Sequence, residues 1–300
     1  MMFFAIVIVP AVAMHVMGGV ETSLNAIDIV NPTFFNPFMN PDGSTISFIA
    51  FISLMGWGLG YFGQPHILVR FMAISSTSEL KRSKRIAVGW YTVSMIAAVF
   101  VGMVGNVYLT EPLNGPDVEK VLLVMTEKLF DPFVGGLILS AVLAAIMSTA
   151  SSQLLVAASA FSQDFYRSVI RQDASHTELV WVSRAAVLII SAMAISLAMN
   201  PNSFILEMVA YAWAGFAATF GPAVLMSLFW RRTTRNGVLA GIVVGGVTVL
   251  IWKQLALFGL YEIIPGFFFG LLAIYIVSLL DKEPSKEITD LFDAVEHSNI

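Results

Sequence analysis

The sequence predicts an all-α polytopic membrane protein with about eight transmembrane helices. Three observations carry this. The chain is 57% hydrophobic and only 12% charged, where soluble domains are about 25% charged, so it has too little polar surface to cover itself in water. Its apolar residues fall in runs of about 20, the length that crosses a hydrocarbon core of about 30 Å. Its basic residues alternate strictly between successive connections.

The spans run near residues 1–19, 45–68, 86–108, 133–162, 179–199, 204–229, 237–256 and 262–280. Arg70, Lys81, Arg82, Lys84 and Arg85 follow the second span, and Arg167 and Arg171 follow the fourth, with Arg184 just inside the fifth. Arg231, Arg232 and Arg235 follow the sixth, and Lys282 and Lys286 follow the eighth. The other set of connections holds only Lys120, Lys128 and Lys253, a split of 13 to 3 among 16 basic residues. The positive-inside rule makes the basic connections cytoplasmic, so both termini are expected inside and the first helix runs outward.

The first span begins at Met1 without a basic start, and no small-residue cleavage site precedes a soluble domain, so no cleavable signal is expected. Residues 20–44 contain "NPTFFNPFMNPDGS" and read as a turn-rich outer loop. The second span contains "GWGLGYFGQPHILVRFMA" from Gly56, with four glycines and a proline. Gly56, Gly58, Gly60 and Gly63 weaken a helix, and Pro65 removes a donor. At membrane depth, opened backbone is tolerated where it is buried in protein or lines a cavity, and transporters use such breaks to present backbone groups to substrate. Trp57, Tyr61 and Pro65 are spaced i, i+4, i+8, which on an α-helix is one face. Close packing with a kink explains the same glycines and proline equally well.

After the third span, residues 109–132 are acidic, and "DVEKVLLVMTEKLF" reads as a short amphipathic surface helix. The fourth span carries no charge across "FVGGLILSAVLAAIMSTASSQLLVAASAFSQ" and is about 46 Å long, so it tilts or protrudes. Ala145, Ser148, Thr149 and Ser152 lie on one face at three- and four-residue steps. A hard monovalent cation takes several oxygen ligands. Two hydroxyls, with an Ala145 carbonyl perturbed by the hydroxyl residue four positions on, supply three. Small and hydroxylated residues also serve plain helix packing in lipid, and on spacing alone that reading is favoured. Glu207 sits near the outer end of the sixth span, either functional or reaching the interface. "GVLAGIVVG" from Gly237, and Gly266 with Gly270, read as packing faces. The domain plan is a transmembrane unit over 1–280 and a charged cytoplasmic tail over 281–300.

No enzyme is expected. The chain has no cysteine, and His15, His66, His176 and His297 form no ligand motif. It shows no phosphate loop, no GxSxG elbow and no nucleic-acid surface, so the expected surroundings are the lipid bilayer and no cofactor.

"LMGWGLGYFGQPHILVRFMA", "SAVLAAIMSTASSQLLVAASA", "YAWAGFAATFGPAVLMSLFWRRTTRNGVLAG" and "YEIIPGF" closely resemble the sodium/solute symporter family, above all its proline-carrying bacterial members. The likeness runs from Met1 to about Leu280. It implies two inverted five-helix repeats plus trailing helices, with a midplane site built from broken helices. It implies import of proline coupled to sodium ion across the cytoplasmic membrane. It assigns the proline path to Trp57, Tyr61 and Pro65, and the sodium site to the Ala145 carbonyl with the Ser148 and Thr149 hydroxyls. It also aligns Met1 with the last helix of the first repeat. Spans two to six are then the second repeat and spans seven and eight the trailing helices, while the rest of the first repeat, with the partner broken helix, is absent from these 300 residues, as in a fragment, a start placed at an internal Met, or a remnant. The competing readings are a non-transporting remnant or assembly protein, and a symporter for another small solute.

Overall fold

A computed structural model describes residues 2–199 and 204–297. The chain divides into two compact units, one formed by Met1–Gly43 and Lys84–Phe204, the other by Ser44–Ser83 and Ile205–Ile300. Among the described residues, six helices are long and apolar enough to cross a membrane: Ser78–Tyr108, Pro132–Ile170, His176–Ala198, Ile205–Phe229, Arg235–Leu255 and Ile263–Leu280. These are six of the eight expected spans. The other two, near 1–19 and 45–68, are a bent helix pair and a broken helix.

In the first unit, α1 (Met2–Val16) meets α2 (Val20–Val30) at 89°. The corner is Gly18–Gly19, with φ of 100° and 103°, backbone that side-chain-bearing residues rarely adopt. The expected outer loop over 20–44 is therefore helical in its first part. Ser23 and Ile27 share the buried face of α2, and the Ser23 hydroxyl donates to the Gly19 carbonyl at 2.8 Å. Val101 and Val104 of α5 (Thr77–Tyr108) join Val9, Ala13, Ile27 and Met125 in the core. Met125 belongs to α6 (Val121–Leu129), which follows a 3-10 turn over Gly115–Lys120. The segment expected as an amphipathic surface helix thus buries its apolar face against α1.

Next comes α7 (Pro132–Ser159), capped by the Asp131 carboxylate, which accepts from the backbone of Phe133 and Val134 at 3.0 and 3.3 Å. It continues without a break as a π-helix over Ala160–Ile170, ending where the Arg171 N–H reaches back five residues to the Tyr166 carbonyl. The fourth span is therefore longer than expected, 39 residues in all. The Ser175 hydroxyl then caps α8 (His176–Ala198) by accepting from Glu178 N–H.

The second unit holds α3 (Phe48–Gly56), α4 (Pro65–Met72), α9 (Ile205–Phe229), α10 (Arg235–Leu255), α11 (Ile263–Leu280) and α12 (Lys286–His297). The glycine ladders place α10 and α11 backbone to backbone. A Cβ on Gly241 would stand 3.0 Å from the Gly270 carbonyl, and one on Gly270 would stand 3.1 Å from the Ala218 carbonyl of α9. A side chain would force these helices apart, which is the packing role the GxxxG spacing predicts. At the other end of α9, Arg231 forms a two-pronged pair with Asp293 of α12 at 2.7 and 2.8 Å, and Arg232 donates to the Asp281 carbonyl at 2.9 Å. The tail over 281–300 is thus helical for most of its length. Its last three residues, 298–300, lie outside the described residues, as does Met1 of the first span.

Candidate substrate and cation sites

The broken helix is built from its own sequence. The Ser47 hydroxyl opens α3 by accepting from Ala50 N–H at 3.1 Å. Buried Gly56 lets the helix press on α11, where a Cβ would stand 2.9 Å from Ile263. From Trp57 to Phe62 the winding tightens to 3-10, and Gly63 N–H closes the last turn on the Gly60 carbonyl at 3.1 Å. Gln64 is extended (φ −84°, ψ 112°), and Pro65 starts α4 with no N–H to lose. The second span is therefore discontinuous, with its break at Gly63–Gln64.

Trp213 of α9 meets both sides of this break. Its indole N–H donates to the Trp57 carbonyl at 3.0 Å, and its own carbonyl accepts from the buried Gln64 amide at 3.3 Å. Its ring lies 6.1 Å from Trp57 and 5.1 Å edge-on from Tyr61, at 84°. Tyr261 flanks Trp57 at 5.9 Å and donates its hydroxyl to the Ala210 carbonyl at 2.6 Å. Burial, and then the Glu262 carboxylate beside it, hold the Tyr261 phenol well above the ordinary tyrosine range.

The structure places the three expected substrate residues in two groups. A 3-10 helix turns about 120° per residue, so Trp57 and Tyr61 do not share the α-helical face their spacing suggested. They come together because both rings meet Trp213. Pro65 stands across the break, on the first turn of α4. Sequence reasoning missed Trp213, Gln64 and Tyr261. The only local signal was Gly60 and Gly63, which admit α9: a Cβ on Gly60 would collide with the Trp213 indole, and one on Gly63 with the Phe216 carbonyl.

The three expected cation residues lie together, one turn apart, in the uncharged middle of α7. The Thr149 hydroxyl donates to the Ala145 carbonyl at 3.2 Å, and the Ser152 hydroxyl donates to the Thr149 carbonyl at 2.8 Å. Donation leaves the lone pairs of the Thr149 hydroxyl free. Ser148 and Thr149 are exposed and Ala145 is half-buried. Glu207 sits in the first turn of α9, exposed, where a carboxylate complements the helix dipole.

Fold and sites together define an all-helical, multi-pass membrane protein with one helix broken beside a cluster of aromatic rings. Comparison with known sequences narrows the class. The profile of the Sodium:solute symporter family matches residues 1–245, and the chain belongs to that family. It is 46% identical to the sodium/proline symporter of Escherichia coli (strain K12), over 99% of this chain and 60% of that protein. It is 47% identical to the high-affinity proline transporter PutP of Bacillus subtilis (strain 168), over 97% of this chain and 61% of that protein. It is 44% identical to the sodium/proline symporter of Staphylococcus aureus, over 97% of this chain and 58% of that protein. The chain thus spans about three-fifths of the length of the curated relatives it matches.

Proposed function

We propose that the protein serves sodium-coupled import of proline across the cytoplasmic membrane by alternating access. The observation that carries this reading is the break at Gly63–Gln64 beside the rings of Trp57, Tyr61 and Trp213. Lipid gives no water to opened backbone, so such a break calls for a protein-lined cavity. Aromatic rings offer a small apolar amino-acid side chain a wall with polar handles. In this reading Trp57, Tyr61 and Pro65 line the proline path, while the Ala145 carbonyl and the Ser148 and Thr149 hydroxyls bind sodium. The names of the relatives support both ligands and a carrier rather than an enzyme.

The transporter domain covers 1–280 and the tail 281–300, with both ends of the chain in the cytoplasm. The 13-to-3 charge split supports that orientation, and the pairing of Arg231 with Asp293 keeps the tail beside one of the basic connections. The test is proline binding by the purified protein at its natural length, with sodium and with potassium in its place. Binding that tightens with sodium supports the reading, and equal or absent binding in both salts contradicts it.

A further inference from the structure

Trp213 spans the break in a way that simple packing does not require. Over Trp57–Phe62 the winding is 3-10, in which a carbonyl accepts from the N–H three residues on, and the Trp57 carbonyl takes the indole N–H as a further donor at 3.0 Å. A second bond, from the Gln64 amide to the Trp213 carbonyl at 3.3 Å, ties the other side of the break to the same residue. Gly60 is the opening through which the indole reaches, since any Cβ there would overlap the ring. The same ring then meets the Tyr61 ring edge-on at 5.1 Å.

We infer that Trp213 is a positioning residue for the substrate wall: it clasps the broken segment to α9 and fixes where Trp57 and Tyr61 stand. This rests on the proposed function, in which those two rings line the proline path. The clasp joins a discontinuous helix to a continuous one by few bonds. Any movement of α9 is therefore passed to the Trp57–Tyr61 wall.

Two variants break the clasp from opposite sides. Trp213→Phe keeps a ring against Tyr61 and removes the N–H. Gly60→Ala keeps Trp213 and closes its opening. In the protein at its natural length, each is expected to speed amide hydrogen exchange in a peptide covering residues 57–64. Each is also expected to raise the proline concentration for half-maximal uptake about three- to tenfold, the scale of one hydrogen bond, with maximal uptake per transporter within about twofold of the parent. In a Trp213→Ala background, Gly60→Ala adds nothing, because both act on one contact.

Unchanged exchange in both variants overturns the clasp. Faster exchange with unchanged half-saturation, or a loss confined to maximal rate, overturns the positioning role and leaves a structural one. Additive effects in the double variant also overturn it. Failure of the parent protein to take up proline would count against the proposed function instead, and exchange would still decide whether Trp213 holds the segment.

Discussion

The Thr149 hydroxyl donates to the carbonyl of Ala145, one turn earlier, across 3.2 Å in the uncharged middle of α7. The bond keeps two oxygens side by side on one stripe, with the Ser148 hydroxyl next to it. If this stripe binds sodium, Thr149→Ala and Ser148→Ala each remove one oxygen and little volume. Each should raise the sodium needed for half-maximal proline uptake about ten- to hundredfold, the cost of losing one charge-assisted contact. Thr149→Ser should stay near the parent. Sodium titrations of uptake at fixed proline check this, and an unchanged sodium dependence in both alanine variants would mean that the stripe only packs.

The glycine ladder of α10 makes a stability prediction. A Cβ on Gly241 would press on the Gly270 carbonyl at 3.0 Å and on Ile274, so Gly241→Ala should destabilise by about 1–3 kcal/mol. A Cβ added at Gly89 of α5 would meet nothing within 4 Å, so Gly89→Ala should be neutral or slightly stabilising, in line with helix propensity. Thermal melts in one detergent compare the two, and equal effects would contradict the packing assignment.

Orientation is tested by labelling. The chain has no cysteine, so single cysteines at Ser78 and Gly115 report cleanly. Ser78 follows the broken helix on the basic side, and Gly115 opens the acidic segment before α6. A membrane-impermeant thiol reagent should reach Gly115→Cys from outside intact cells and Ser78→Cys only after the membrane is opened. Labelling of both from one side would contradict the charge-based topology.

The half-buried Tyr261 phenol gives a pH signature. Its folded value is raised above the ordinary value of 10.0, first by burial and then by Glu262. The folded protein therefore holds this proton more tightly than the unfolded chain does. Its contribution is complete below the unfolded value and is lost as pH rises through the raised folded one. Tyr261→Phe removes the 2.6 Å bond to the Ala210 carbonyl and should cost about 1 kcal/mol near neutrality. The gap between parent and variant should narrow as pH climbs above 10.0. Stability measured against pH for both proteins reads this directly, and a gap that widens would refute it.

Much of this was legible because lipid makes the rules strict. Charge-free runs mark spans, Gly at every fourth position marks helix contact, and Gly56–Pro65 marks a break. The α1–α2 corner was hidden because "VETSLNAIDIV" mixes polar and apolar residues, and its helical face appears only once Ser23 and Ile27 are seen buried together. The 3-10 winding over Trp57–Phe62 was hidden for another reason: the Trp57 carbonyl also accepts from an indole 156 positions later in the chain, and spacing within one helix carries no trace of such a partner.

The most direct test of the central claim is accumulation. Vesicles containing the protein at its natural length are given an inward sodium gradient, and labelled proline is followed inside. The account predicts transient accumulation above the external concentration. Replacing sodium by potassium or collapsing the gradient should abolish it, and Trp57→Ala should reduce it sharply. Proline entry that only equilibrates, with the same course in sodium and in potassium, would contradict it.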